Sequence, residues 1–274
     1  PQDSASDLDC AIPLDCPAPS AGQVTLCGRI LDAETDAEVA AETATRQACT
    51  SVTAAGPCSL RVRYFDALDY AMNPSGAMPL SPQASIVDDC GRFRATNLPR
   101  AVFGFISVVI DDDPSVIPAQ AHAPTAVTFS NEVGSVPADV RAYATRGSTV
   151  ELWSTSAGLT GPSFVARGAA LLVFRHAGAP RAAVALRRNG ELSPVDDFYF
   201  SDTGPSRTTI DTSLTATGPN GSVLVTGSSS PLGHDGVGGE PSGCVWPNRL
   251  VATIPGAFSI HIVEAETPAG AACP

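Results

Sequence analysis

The sequence predicts an all-β protein: two tandem antiparallel β-sandwiches with one or two short helices. Three observations predict it. Apolar residues recur with period two, in short runs, along most of the chain. The runs are separated by turn chemistry, supplied by 24 glycines and 24 prolines. The length, 274 residues, is enough for two domains that each bury a core.

The elements follow in order. Residues 23–31 place Val24, Leu26 and Ile30 on one face. Residues 59–66 alternate Leu60, Val62 and Tyr64 with Arg61 and Arg63. Residues 101–110 and 169–175 are apolar on both faces, as in strands covered on each side. Further strands are predicted at 182–187, 197–201, 221–226, 249–254 and 257–264. Asn189-Gly190 and Gly218-Pro219-Asn220-Gly221 read as hairpin turns. Residues 34–47 read as a short acidic helix or a long loop. Ser148-Thr149-Val150-Glu151 is a capping-box pattern that predicts a helix near 149–157.

Composition excludes several classes of function. All 16 basic residues are arginine, so chemistry that needs a lysine amine is excluded. The formal charge of −12 argues against a nucleic-acid binder, which needs a basic face. No apolar run approaches the roughly 20 residues that span a bilayer. The eight cysteines, Cys10, Cys16, Cys27, Cys49, Cys58, Cys90, Cys244 and Cys273, form no C-x-x-C pair. Their even number and irregular spacing predict disulfides and an oxidising compartment. Cys244–Cys273 is the expected C-terminal bridge, worth about 3–4 kcal/mol by chain entropy. The pairing of the other six is left open. The polar start through Ser20 reads as a tether after a removed signal peptide, with a lipid anchor as one form of attachment.

The residues also carry a resemblance. Cys27-Gly28-Arg29-Ile30-Leu31-Asp32 with Glu34-Thr35-Asp36-Ala37-Glu38-Val39 resembles the opening of carboxypeptidase regulatory-like domains. Asp88-Asp89-Cys90-Gly91-Arg92-Phe93-Arg94 followed by Asn97-Leu98-Pro99 is similar to their D-x-x-G-x-F…L-P segment. A second copy resembles the same pattern from Leu171, with Gly178-Ala179-Pro180 and with Thr217 to Val225, Val223 or Leu224 replacing the Phe. The resemblance implies prealbumin-like (transthyretin-like, immunoglobulin-like) sandwiches, as in secreted proteins of high-GC Gram-negative bacteria. It implies an accessory domain without its peptidase. His261-x-x-Glu264 has the spacing of two zinc ligands, but on a strand these residues face opposite ways and no third His follows.

Candidate site residues are few. Asp111, Asp113 and Asp88 stand at predicted strand ends, where carboxylates could gather around calcium; a solvated acidic rim is the simpler reading. Asp32, Glu34, Asp36, Asp196 and Asp197 share that ambiguity. The segment 227–243 carries Ser228–Ser230, His234 and Asp235 among six glycines. Nucleophilic catalysis needs such groups rigidly oriented, so this stretch reads as a surface loop or a ligand contact. Trp246 and Tyr199 could offer aromatic faces to a ligand, against core packing as the plainer use. Asn220-Gly221-Ser222 is a glycosylation sequon within a turn.

The expected organisation is a tether at 1–21, a first sandwich at 22–118, a connecting and docking segment with a short helix at 119–164, and a second sandwich at 165–274. The expected function is non-enzymatic: a secreted or surface-exposed structural or adhesion protein, or a subunit of a larger envelope assembly, with no cofactor beyond a candidate calcium. Its expected partners are other envelope or extracellular proteins or further copies of itself. The expected location is the periplasm, outer-membrane surface or exterior of a bacterium. The alternative is a carbohydrate- or peptide-binding module using the 227–246 loop; a hydrolase with an unrecognised site is a third reading.

Overall fold

The computed structural model describes residues 14–39, 60–82, 85–88, 90–102, 104–113, 121–130, 140–192, 196–227, 232–240 and 244–266. The chain forms two compact units, Pro1–Asp32 with Ala37–Ala144 and Ala33–Asp36 with Thr145–Pro274. The short stretch 33–36 therefore belongs to the second unit. The segment 119–164, read from sequence as a connector, supplies strands to the first unit and a helix to the second.

The first unit contains β1 (Gln23–Asp32), β2 (Leu60–Asp66), α1 (Ala67–Met72), β3 (Ser85–Ile86), β4 (Arg92–Pro99), β5 (Phe105–Asp112), β6 (His122–Ala123), β7 (Thr125–Ser130) and most of β8 (Val140–Arg146). Strand β1 pairs antiparallel with β4 and parallel with β8. Strands β7, β5, β2 and β3 pair in that order, all antiparallel. Between the two layers Leu26, Ile30, Val62, Tyr64, Phe93, Val108, Ile110 and Val140 form an apolar core. Asp66 starts α1 by accepting the N–H groups of Leu68 and Asp69. Tyr70 then packs on Phe65 with ring centroids 4.9 Å apart.

The second unit contains α2 (Gly147–Ser156), α3 (Phe164–Arg167), β9 (Ala169–His176), β10 (Ala179–Pro180), β11 (Ala182–Arg188), β12 (Glu191–Leu192), β13 (Asp197–Phe200), β14 (Ile210–Asp211), β15 (Ser222–Thr226), β16 (Leu232–Glu240), β17 (Arg249–Val251) and β18 (Phe258–Glu264). Strands β14, β13, β15, β9 and β18 pair in order, with β9 and β18 parallel. Strands β12, β11, β16 and β17 form the facing layer. The core between them holds Leu172, Phe174, Val184, Leu186, Tyr199, Val223, Trp246, Val251 and Val263.

The two units repeat one strand order. The sequence β4–β1–β8 in the first corresponds to β15–β9–β18 in the second, and β2–β5–β7 to β11–β16–β17. Backbone contacts repeat as well. The Ile30 N–H donates to Gly91 and the Phe174 N–H to Gly221, each at 2.8 Å. Val39 N–H donates back to Ile30, and Arg181 N–H to Phe174, each at 2.9 Å. Gly91 and Gly221 both have positive φ, and a Cβ on either would lie 2.0–2.5 Å from a backbone oxygen of the opposing hairpin. Only glycine fits both demands. Val223 thus occupies the place of Phe93 in the second copy.

The fold class holds, with differences. The sheets are mixed rather than wholly antiparallel, because the first and last long strands of each unit run side by side. Three helices are present among the described residues. The helix expected at 149–157 begins at Gly147, with Arg146 at its N-cap and no side-chain cap, so the capping box does not form. The Gly104 N–H donates to the Ala101 carbonyl at 3.2 Å, and β5 begins only at Phe105. The stretch 34–39 forms the tip and return of a hairpin, with Asp36 at φ 59°; 40–47 lie outside the described residues. The glycine-rich 227–243 segment contains nine-residue β16 rather than a mobile loop. A Cβ at Gly236 would lie 2.6–2.9 Å from Val184, Phe174 and Trp246. This glycine serves close packing.

Cys16 and Cys27 are bridged, with Cα atoms 5.9 Å apart. Cys90 and Cys244 each take part in a disulfide as well; Cys10, Cys49, Cys58 and Cys273 lie outside the described residues. Replacing Gly236 with Ala is expected to destabilise the second unit by about 1–3 kcal/mol through overpacking. Chemical denaturation followed by the emission of the adjacent Trp246 measures it.

Candidate functional site

The interior of the second unit is apolar at one end and polar at the other. Strand alternation places Asp197 on the core side with Tyr199, Arg188 with Leu186, and Ser259 and His261 with Val263. His234 pairs across the sheet with both Arg188 and Arg249. Arg188 Nη2 donates to Asp197 Oδ1 at 2.5 Å, and its Nη1 to the Thr226 carbonyl at 3.2 Å. His234 Nδ1 lies 2.9 Å from the Leu232 carbonyl. A carbonyl only accepts, so Nδ1 carries the proton and Nε2 presents a lone pair. His261 Nε2 lies 3.3 Å from Ser259 Oγ.

Three atoms of this cluster, Arg188 Nε, Asp197 Oδ2 and His234 Nε2, are buried without a hydrogen-bond partner among the described residues. Their environment shifts the ionisable groups. Burial pushes Asp197 up to about 6, against the opposing pull of Arg188. Burial lowers His234. Burial, with His234 and Arg249 adding to it, lowers His261 to about 4. Tyr199 is raised to about 12 by burial, although its hydroxyl oxygen accepts the Leu186 N–H.

The other sequence candidates are placed as follows. Asp235 faces outward and is held in a fork by Arg187, at 2.9 and 2.6 Å. The strand pleat therefore separates it from His234. Trp246 is 4% exposed; it meets Phe174 edge to face and donates from Nε1 to the Gly238 carbonyl. Its ring is committed to the core and offers no platform to a ligand. Tyr199 is buried in the same core. Ser228–Ser230 lie outside the described residues. Glu264 faces away from His261 and accepts the Gly178 N–H. The sequon is closed: Asn220 is buried and bonded to Ser206 and Ser222.

The acidic strand ends of the first unit do not gather. Asp111 accepts from Arg61 through both oxygens and from Arg63 at 2.5 Å. Asp88 accepts the Cys90 and Arg92 N–H groups and the Arg92 side chain. Asp112 holds the His122 ring at 2.7 Å and two backbone N–H groups. Asp113 is half-buried at the end of β5. Among the described residues, no three His, Cys, Asp or Glu side chains converge as a metal site.

Sequence reasoning missed Arg207, which is fully buried. Its guanidinium donates to Ser222 Oγ at 2.7 Å, the Ala33 carbonyl at 3.0 Å and Asp36 Oδ2 at 2.7 Å. Arg175 meets the same Asp36 oxygen at 2.8 Å. Nothing in the run Gly204-Pro205-Ser206-Arg207 marks it as interior.

The first unit also carries an exposed apolar end. Met72 is 78% exposed, Met78 81%, Val102 86% and Phe105 50%, with Leu68 one helical turn from Met72. These residues bracket α1. Asp66, which caps it, also accepts the Val102 N–H at 2.8 Å, and Ile106, next to Phe105, pairs with Asp66. Pro79, next to Met78, bridges to Phe65. Both methionines of the chain lie here.

The chain is thus a two-unit β-sandwich protein with disulfides. No protein-family model and no curated protein matches it. Among solved structures, the shaft pilin SpaA from Lactobacillus rhamnosus GG is similar at 9% identity over 90% of this chain and 99% of that one, with a TM-score of 0.24. The major pilin protein T-13 from Streptococcus pyogenes is similar at 6% identity over 91% and 98%, with a TM-score of 0.21. Superposition this poor transfers no property from either protein.

Two outcomes are expected. Arg207→Met should destabilise the second unit by about 3–5 kcal/mol, because it leaves the Ala33 carbonyl and the Ser222 hydroxyl without their donor and removes one of the two arginines that hold Asp36; urea denaturation read by Trp153 emission measures this. Calcium at millimolar concentration should leave Tm unchanged, since Asp111 and Asp88 are already saturated by arginine and N–H donors. A rise in Tm that Asp111→Asn abolishes would contradict that assignment.

Proposed function

We propose that this is a non-enzymatic, exported structural or adhesive protein that works by protein–protein contact. The observation that carries the reading is the exposed apolar end of the first unit. Large apolar side chains grouped at the surface of a folded domain mark contact sites. Methionine suits such a surface because its flexible, polarisable side chain adapts to a partner.

Three further observations support it. The disulfides support an oxidising compartment. No helix among the described residues is long and apolar enough to cross a membrane. In the first unit Asp111 and Asp88 are tied to arginines and backbone N–H groups. The repeated strand order and the paired Gly91 and Gly221 turns support the reading of two carboxypeptidase regulatory-like sandwiches. Export to the periplasm or surface of a bacterial envelope, with other envelope proteins or further copies as partners, follows from that reading.

The test is a double variant, Met72→Glu with Val102→Asp. Both side chains are exposed, so Tm should change by no more than about 2 °C. Sedimentation velocity reports contact between copies, and crosslinking on intact envelopes reports contact with other proteins. The variant is expected to lose the contacts that the wild-type chain makes. A wild-type chain that stays monomeric and crosslinks to nothing, or a variant that retains every contact, would refute the proposal.

A further inference from the structure

The polar half-core of the second unit has no counterpart in the first. The repeated backbone contacts equate Ile30 with Phe174, and their parallel neighbours Ala142 and Val263 follow. Two residues earlier on those strands stand Val140 and His261. Val140 is packed in the apolar core, whereas the second unit places an imidazole there. Around it the facing layer contributes Arg188 and His234, with the exposed Arg249 paired to His234, and β13 contributes Asp197. At this position the same architecture is therefore built once with an aliphatic side chain and once with an ionisable one.

We propose that this cluster makes the second unit an acid-responsive half of the molecule, which opens on mild acidification while the first unit stays folded.

The charge inventory supports this. An imidazolium at His234 or His261 would face the cations Arg188 and Arg249. Asp197 is engaged by Arg188 and buried, Asp196 lies at the start of β13, and Asp235 points outward to Arg187. Tyr199 is neutral in this range. The adjoining stretches 193–195, 228–231 and 241–243 contain only Ser, Pro, Val and Gly, so they add no titratable side chain. Asp197 and Asp235 already engage arginines, which leaves Asp196 as the other carboxylate of this group.

The signs are as follows. Both imidazoles are depressed, His261 to about 4, so their contribution is present above the unfolded value of about 6.5 and is lost as pH falls toward 4. Asp197 is raised to about 6, so its contribution runs the other way and favours the fold on the acid side. Two imidazoles oppose one carboxyl. The His261 and Asp197 contributions are similar in size and opposite in sign, so the depressed His234, which faces Arg188, sets the balance toward loss of stability on acidification.

The molecule carries its own reporter, because its only tryptophans, Trp153 and Trp246, both lie in the second unit. Trp emission of the intact protein is followed from pH 7.5 to 3.5, with hydrogen exchange on peptides from β1, β2 and β5 reporting the first unit. Emission is expected to shift to the red between about pH 6 and pH 4, reversibly, before those peptides lose protection. His261→Val, which installs the residue found at the equivalent position, should move the midpoint down by about half a unit or more. Asp197→Asn removes the opposing group and should move it up; a purely packing role would not displace the two variants in opposite directions. If one variant fails to fold at pH 7.5, the direction of the other still decides. A midpoint that His261→Val leaves in place, one that Asp197→Asn fails to raise, an emission that stays constant to pH 3.5, or simultaneous loss of protection in the first unit would each overturn the proposal.

Discussion

The buried guanidinium of Arg207 is the interaction on which the second unit depends. A charge in an interior is tolerable only when every donor finds an acceptor. Here Nε, Nη1 and Nη2 reach a hydroxyl on β15, a carbonyl in the 33–36 turn and the carboxylate of Asp36. The backbone of the same residue joins in, its N–H donating to the Glu34 carbonyl and its carbonyl accepting from Trp153 on α2. Arg175 brings β9 to the same carboxylate, and Thr149 bonds Glu34. One side chain thus organises a turn, a helix and two strands that apolar contact alone would leave less uniquely placed.

Against this, the repeated strand order shows how much of a sandwich is indifferent to its filling. The first unit closes over aliphatic and aromatic side chains, and the second over such side chains plus an Arg–Asp pair and two histidines. The turns that begin β4 and β15 need glycine in both copies because the opposing hairpin comes too close for a Cβ. Backbone geometry is held constant while the interior chemistry diverges. Divergence of that kind places a property, here sensitivity to protonation, in one copy without altering the scaffold.

The net charge of −12 coexists with a surface that is not uniformly acidic. Asp36, Asp88, Asp111, Asp197 and Asp235 each bond an arginine, so much of the ionic content is spent on internal geometry. What is left unspent at the end of the first unit is apolar: two methionines, a valine and a phenylalanine around α1. A surface of that composition favours contact with a protein over binding of an ion or sugar, and it motivates the functional reading.

The sequence alone determined the fold class, most strand positions and the turns. Alternation records which face of a strand is buried, and positive-φ positions admit few residues. It located β9, β11, β13, β15 and β18 to within a residue or two. It did not show β16, because six glycines read as flexibility until Trp246 and Phe174 were seen packed against Gly236. It named His234 but joined it to Asp235, its neighbour in the chain. Only the pleat could send one inward to Arg188 and the other outward to Arg187. Arg207, Asp197 and His261 acquired their roles from groups 9 to 174 residues away, most of them on other strands. Local pattern fixes what a residue's backbone does, whereas burial and partnership of a charge are properties of the assembled layers. Those the tertiary structure alone decided.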